Sequence, residues 1–282
     1  MKKKIRFSNV ASKTGLWIIT IMITLIIVFP IFWIAMCSIT PYNDLFNIPI
    51  KYIPDNPSLE NFQNLFSAMD VGKMAGTTLL LALFTIICCE LIAFFAAYGF
   101  ARYNFPGKKV AYNFLYYSQI LPLIIILIPL TSIYRTLHLF DTYLGLVLLY
   151  TSAFLPFTTV TMISYIDQIP YSIEEAASVD GANLFNRITR IMFPLTRPCL
   201  ATMAMILFVW ASNEFLIPLL FTTNDVVPLS VGITMIPRVD IYQVPWDMIS
   251  ALATLILIPI IIFVLIFKRN IMEGLTAGGV KQ

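Results

Sequence analysis

Six stretches of this chain carry almost no charge and are each long enough to cross a bilayer: about residues 16–39, 74–101, 110–134, 142–166, 198–224 and 248–267. A spanning helix needs ~20 apolar residues, about twice the length of a barrel strand. Backbone groups in hydrocarbon must be paired within their own segment, so the runs are expected as six transmembrane helices. Of the 282 residues, 59% are hydrophobic and 12% charged, far from the balance of an ordinary soluble domain. The expected fold is therefore an all-α membrane protein, a single transmembrane domain over residues 1–282.

Basic residues give the orientation. Fourteen of the eighteen fall on one side of the expected spans: Lys2, Lys3, Lys4, Arg6, Lys13, Arg102, Lys108, Lys109, Arg187, Arg190, Arg197, Lys268, Arg269 and Lys281. Only Lys51, Lys73, Arg135 and Arg238 fall on the other. That asymmetry places both termini in the cytoplasm. The net charge of +3 is thus a topological signal, and the bases are too dispersed for a nucleic-acid surface. The Lys-rich start is read as the flank of the first span, because the apolar run after it is too long for a cleaved signal and no small-x-small site follows.

Between the fourth and fifth spans lies the most distinctive segment, about residues 171–194. Pro170 disfavours helix before it, and Ser172 with Glu175 has the spacing of a capping box, so a helix is expected to begin at Ser172 and to stop at Asp180-Gly181. A second segment puts Leu184, Phe185, Ile188, Ile191 and Met192 on one apolar face, with Pro194 and Pro198 closing it. An apolar face at a membrane surface, next to residues as small as Ala176 and Ala177, calls for a partner.

The pattern Glu175-Ala176-Ala177, Gly181, Ile191 and Pro194 resembles the EAA loop of permease subunits in ATP-binding-cassette importers, with Phe193 where the family usually has Leu. Ala97 to Arg102 with Phe105-Pro106-Gly107, then Asn213 to Leu216, and then the tail Gly274 to Lys281 are similar to segments of sugar-type permeases, the tail to that of the maltose-type second permease. The resemblance implies a type I importer permease fold with cytoplasmic EAA coupling helices, in the bacterial cytoplasmic (inner) membrane. It also implies a second, different permease subunit, two ATP-binding-cassette ATPase subunits and an extracytoplasmic solute-binding protein as partners, besides membrane lipid. Glu174, Glu175, Ala176, Ala177, Asp180, Gly181, Ala182 and Phe185 are the expected ATPase-docking residues. The expected cargo is a carbohydrate, an oligosaccharide foremost, with glycerol-phosphate-type solutes as the alternative. An ion-coupled secondary transporter would need no EAA loop and should show internal repeats with paired broken helices.

No enzyme is expected. G-x-S-x-G and H-E-x-x-H are absent, and His138 is the only histidine, so catalytic and metal constellations are lacking. No G-x4-G-K-[ST] occurs either, so ATP and Mg would sit on the partner ATPases and no cofactor on this chain. Cys37, Cys88, Cys89 and Cys199 have no C-x-x-C spacing and are expected to pack as small apolar groups. Pro41 to Lys73 forms an external loop whose Leu59, Phe62, Leu65 and Phe66 suit a surface helix or a binding-protein contact. Glu90 and Glu214 lie inside spans, where an ionisable group is expensive. For Glu90 a structural partner is expected. For Glu214, with Asn213 and Trp210, two roles stay open: a place on the translocation path or against the second permease, or a structural hydrogen bond.

Overall fold

The computed structural model describes residues 2–238 and 243–279, with side chains at 14–238 and 243–266. Val280 and Lys281 of the tail pattern lie outside them, as do the side chains of Lys2, Lys3, Lys4, Arg6, Lys13, Lys268 and Arg269. The chain folds as two compact units, one of residues 1–70 with 235–257 and the other of residues 71–234 with 258–282. All its described elements are helical, in keeping with the all-α expectation.

In the first unit, α1 (Lys2–Ser38) is apolar on every side from Leu16 to Phe32, and those side chains are exposed. A helix that is hydrophobic all round and unburied belongs in lipid. A short turn (Tyr42–Phe46) leads to α2 (Glu60–Ala68), the surface helix expected in the external loop. Its buried residues are Leu65 and Asn61, while Leu59 and Phe66 stay exposed. The Asn61 amide donates to the Ser38 and Thr40 carbonyls at 3.0 and 2.8 Å. Those carbonyls at the end of α1 have no partner within the helix, which explains why an amide is the buried group here.

The second unit is built on α3 (Val71–Arg102), α6 (Tyr143–Ile166) and α9 (Phe193–Asn213). One cluster around Leu81, Cys89, Leu146, Tyr150, Leu207 and Phe221 fills one end, and another around Phe94, Tyr98, Met162, Ile166, Met192 and Met203 fills the other. Cys89 and Cys199 are buried thiols in these clusters, without a disulfide, as their apolar surroundings require. After α6 come α7 (Tyr171–Val179), α8 (Leu184–Asn186) and a π-helical turn over Arg187–Met192 that runs into α9. Beyond α9 are α10 (Leu216–Phe221), α11 (Leu229–Met235) and α12 (Trp246–Gly279), the last with residues 246–257 in the first unit and the rest in the second.

Two expected spans are not single rods. The run 110–134 forms α4 (Lys108–Ser118) and α5 (Leu123–Thr136), bent by 97°. Pro122 explains the bend: it has no N–H to continue the ladder and forces the residue before it out of helix. The run 198–224 breaks between α9 and α10 at Glu214 and Phe215. Among the described residues, five helices are long and apolar enough to cross a membrane, or six if the bent pair counts as one span. Pro194 and Pro198 do not close the coupling segment, because helix continues unbroken through them from Leu184 to Asn213. The widened π turn just before Pro194 changes the hydrogen-bond register where a proline would break a regular helix.

The turn between α5 and α6 is fixed by Asp141. Its carboxylate accepts from the Thr223 hydroxyl at 2.6 Å and from the backbone N–H of Asn224, Asp225 and Val226 at 3.0, 3.2 and 3.1 Å. Partial burial alone would raise its pKa, but the four donors outweigh that and hold it at about 2, since each favours the charged form. The loop after α10 is thereby tied to the start of α6.

Candidate functional site

Residues 171–192 form a helix–turn–helix. Helix α7 begins one residue before the expected start, at Tyr171, with Pro170 as its N-cap and no side-chain cap. The expected Ser172–Glu175 capping box is therefore not formed. Ser172 already lies within the first turn, where its hydroxyl cannot cap, and Pro170, held extended, ends the preceding turn without needing a donor. At the other end Gly181 takes φ +85°, with Ala182 N–H bonded to the Ala177 carbonyl at 2.9 Å and Gly181 N–H to that of Ser178 at 3.1 Å. This is the left-handed glycine termination that Asp180-Gly181 implied. Asn183 then caps α8, its Oδ1 accepting from Asn186 N–H at 2.9 Å.

The loop's surface divides sharply. Glu175, Ala176, Asp180, Gly181 and Phe185 are exposed, and Ala177 and Ala182 are half-buried. Phe185 is 72% exposed, Val179 87% and Leu184 45%. Val179 was not among the residues singled out from sequence, although a valine in the last turn of a short surface helix is the available signal. Met192, expected on one apolar face with Leu184 and Phe185, is instead buried in the core.

Glu174 is the exception. Named with the docking residues, it is 0% exposed, so it cannot touch a partner. Its Oε2 accepts from the Tyr98 hydroxyl at 2.7 Å and its Oε1 from Arg102 Nε at 2.5 Å. Arg102 also donates to the Ile169 carbonyl at 2.9 Å and lies over the Tyr171 ring at 5.8 Å. A buried carboxylate is tolerable only when paired and hydrogen-bonded, and this one is both. The pairing crosses 72 residues, a separation that no local sequence pattern marks.

The second candidate group surrounds the break in the fifth span. Glu214 ends α9 in an extended conformation, and its Oε1 accepts from the N–H groups of Leu216 and Ile217 at 3.0 and 3.1 Å. Its own carbonyl accepts from the Ser230 hydroxyl at 2.6 Å. The carboxylate thus satisfies donors that α10 leaves free, which a break at membrane depth requires. Asn213 is exposed, with its amide donating to the Val209 carbonyl at 2.8 Å. Trp210 packs against Phe154 and Phe157, with centroids 5.5 and 5.0 Å away, and remains 38% exposed. Glu90 lines a cavity of about 620 Å³ with Phe94, Phe193 and Arg197. Its Oε1 is buried without a hydrogen-bond partner, while the Ala204 backbone of α9 serves the carboxylate as a hydrogen-bonding group.

The binding-protein-dependent transport system inner membrane component family matches residues 90–276, a stretch holding the helix–turn–helix and the broken span. The trehalose transport system permease protein SugB of Mycobacterium tuberculosis is 33% identical over 253 residues, covering 89% of this chain and 92% of the relative. The sulfoquinovosyl glycerol transport system permease protein SmoH of Agrobacterium fabrum is 32% identical over 254 residues, covering 90% and 88%. Among solved structures, a chain of a bacterial ABC transporter involved in the import of the acidic polysaccharide alginate superposes with a TM-score of 0.78 at 19% identity, covering 93% of this chain and 97% of that one. That likeness shows a shared fold, the permease fold of an ABC importer. The chain belongs to the family of inner membrane components of binding-protein-dependent transport systems.

Proposed function

We propose that this chain is a transmembrane permease subunit of an ATP-driven, binding-protein-dependent importer of a carbohydrate, with oligosaccharides as the cargo class. It would pair with a second, different permease and dock two ATPase subunits on its EAA loop and the partner's, with ATP and Mg²⁺ held by the ATPases. A solute-binding protein would deliver cargo from outside. The carbohydrate assignment draws on the relatives' names, and the placement of both termini and of residues 171–192 in the cytoplasm draws on the basic-residue asymmetry.

One observation carries the reading. The helix–turn–helix has a buried root at Glu174 and an apolar tip at Val179, Leu184 and Phe185 that the chain itself leaves uncovered. Large apolar groups held out on a rigid turn fit a groove on another protein. Transport would proceed by alternating access: closure of the ATPases moves this loop, the spans follow, and the central path turns from outward to inward. On the path we place Trp210, Asn213 and Glu214. The half-open Trp210 face offers an apolar surface to a sugar ring, and the exposed Asn213 offers polar contacts to hydroxyls.

The test is Val179→Asp and Phe185→Asp, each in the intact complex. Neither side chain supports the fold, so the amount of permease in the membrane should not change. A charge placed in a desolvated contact should lower ATPase co-purification about tenfold and abolish uptake. Unchanged ATPase retention together with normal uptake would reduce the loop to a linker.

A further inference from the structure

Helix α7 buries one side chain, Glu174. Its other residues are exposed or half-buried, so any displacement of α7 reaches the membrane core through the chain at its two ends and through this carboxylate. The carboxylate is held from two sides on α3, by the Tyr98 hydroxyl and by Arg102 Nε. Arg102 does not serve Glu174 alone. It donates to the Ile169 carbonyl in the turn after α6 and stacks over Tyr171 at the first turn of α7. Arg187, on the second limb of the loop, has its Nε buried without a hydrogen-bond partner. One guanidinium, that of Arg102, thus joins the end of α3 and the turn after α6 to the start of α7.

We propose that Tyr98, Arg102 and Glu174 are positioning residues that transmit the movement of α7 to α3, so that without them ATP is hydrolysed but solute is not moved. The idea rests on the docking role proposed for the loop and deepens it. A buried ion pair adds little net stability compared with apolar replacements, because desolvation offsets the attraction. What it fixes is geometry. The guanidinium and the carboxylate meet over a narrow range of angles, and the tyrosine hydroxyl restrains the second carboxylate oxygen. Apolar contacts at this point would let α7 slide over α3, whereas this junction makes the two elements turn together. Docking of the ATPase uses the opposite, exposed side of α7 and should not depend on it.

The experiment uses the assembled transporter in proteoliposomes with its binding protein, measuring solute accumulated per ATP hydrolysed and, separately, ATPase co-purification. Glu174→Gln and Arg102→Met should keep the ATPase bound and its hydrolysis within about twofold of native, while solute moved per ATP falls about tenfold. Tyr98→Phe should lose less, and Arg102→Lys, which keeps the charge, should recover part of the ratio. Should a single variant fail to assemble, the double Arg102→Met/Glu174→Met removes both charges together and leaves no unpaired buried charge; it should assemble and remain uncoupled. A native ratio of solute to ATP in Glu174→Gln or in the double variant overturns the proposal. So does failure of the double variant to assemble, which would make the network purely structural. If the ATPase is lost and the remaining complexes keep the native ratio, the residues serve docking, and the proposal falls. Failure of the underlying reading looks different: the native complex itself would then hydrolyse ATP without response to solute-loaded binding protein.

Discussion

A methyl group has no room at Gly145. A Cβ built there would lie 2.0 Å from the Leu139 carbonyl oxygen and 3.0 Å from Thr142 Oγ1. The same Thr142 hydroxyl accepts the Gly145 N–H at 3.0 Å and donates to the Leu139 carbonyl at 2.8 Å, so the turn closes on the glycine from both sides. Gly145→Ala should therefore destabilise the chain by about 1–3 kcal/mol, as overpacking does. Gly99→Ala is the control, because nothing lies within 4 Å of its would-be Cβ and alanine favours helix. Thermal unfolding of the detergent-solubilised protein should show a lower midpoint for the first and an equal or higher one for the second; equal midpoints would mean the turn relaxes freely. At this scale the sequence was partly legible. Gly181 could be assigned its left-handed role because Asp-Gly after a short helix is a local signal. Gly145 could not, since no residue type around it marks that the Leu139 carbonyl turns onto it, and Glu174 could not, since its partners stand 72 and 76 residues away. Glu174 and Glu175 are neighbours of equal chemistry, and only the direction of α7 decides which turns inward.

Elements were legible where the apolar run was long, and illegible where it was interrupted from within. Both unexpected breaks lie in such runs. Pro122 divides α4 from α5, yet the same run carries Pro129 inside α5 without a break, so proline alone does not announce a bend. Glu214 was singled out as a costly carboxylate, but its use, capping the two amides that open α10, depends on where α9 stops. Glutamate is not a preferred cap, and the sequence therefore gave no boundary there. The capping explains what substitutions should do. Glu214→Gln retains a carbonyl oxygen that can accept from Leu216 and Ile217, so the level of assembled complex should be close to native. Glu214→Leu leaves both N–H groups without an acceptor and should cost about 1–3 kcal/mol, seen as less complex on co-purification. Equal levels for the two would show that the cap does not support the break. Uptake by the Gln variant, normalised to complex, then reads whether the charge also acts on the path.

Whether the chain crosses the membrane five times or six turns on the bent pair of α4 and α5. Reporter fusions after Asn104 and Asp180 should read cytoplasmic and those after Asp55, His138 and Arg238 external; equal sidedness at Asn104 and His138 would make α4 and α5 a re-entrant pair and leave five crossings. The number of apolar runs was visible in the chain from the start, because hydrocarbon imposes one length on every crossing. How those runs associate was not, since apolar side chains facing lipid and those facing protein look alike in sequence. Helix α3 has 32 residues and no internal proline, which makes it a rod about 48 Å long, against a hydrocarbon layer of ~30 Å. If such a rod rocks by about 10° around its middle, its ends travel about 4 Å in opposite directions. A push near Arg102 is then a see-saw: the stroke that opens a gap at one face of the membrane narrows it at the other.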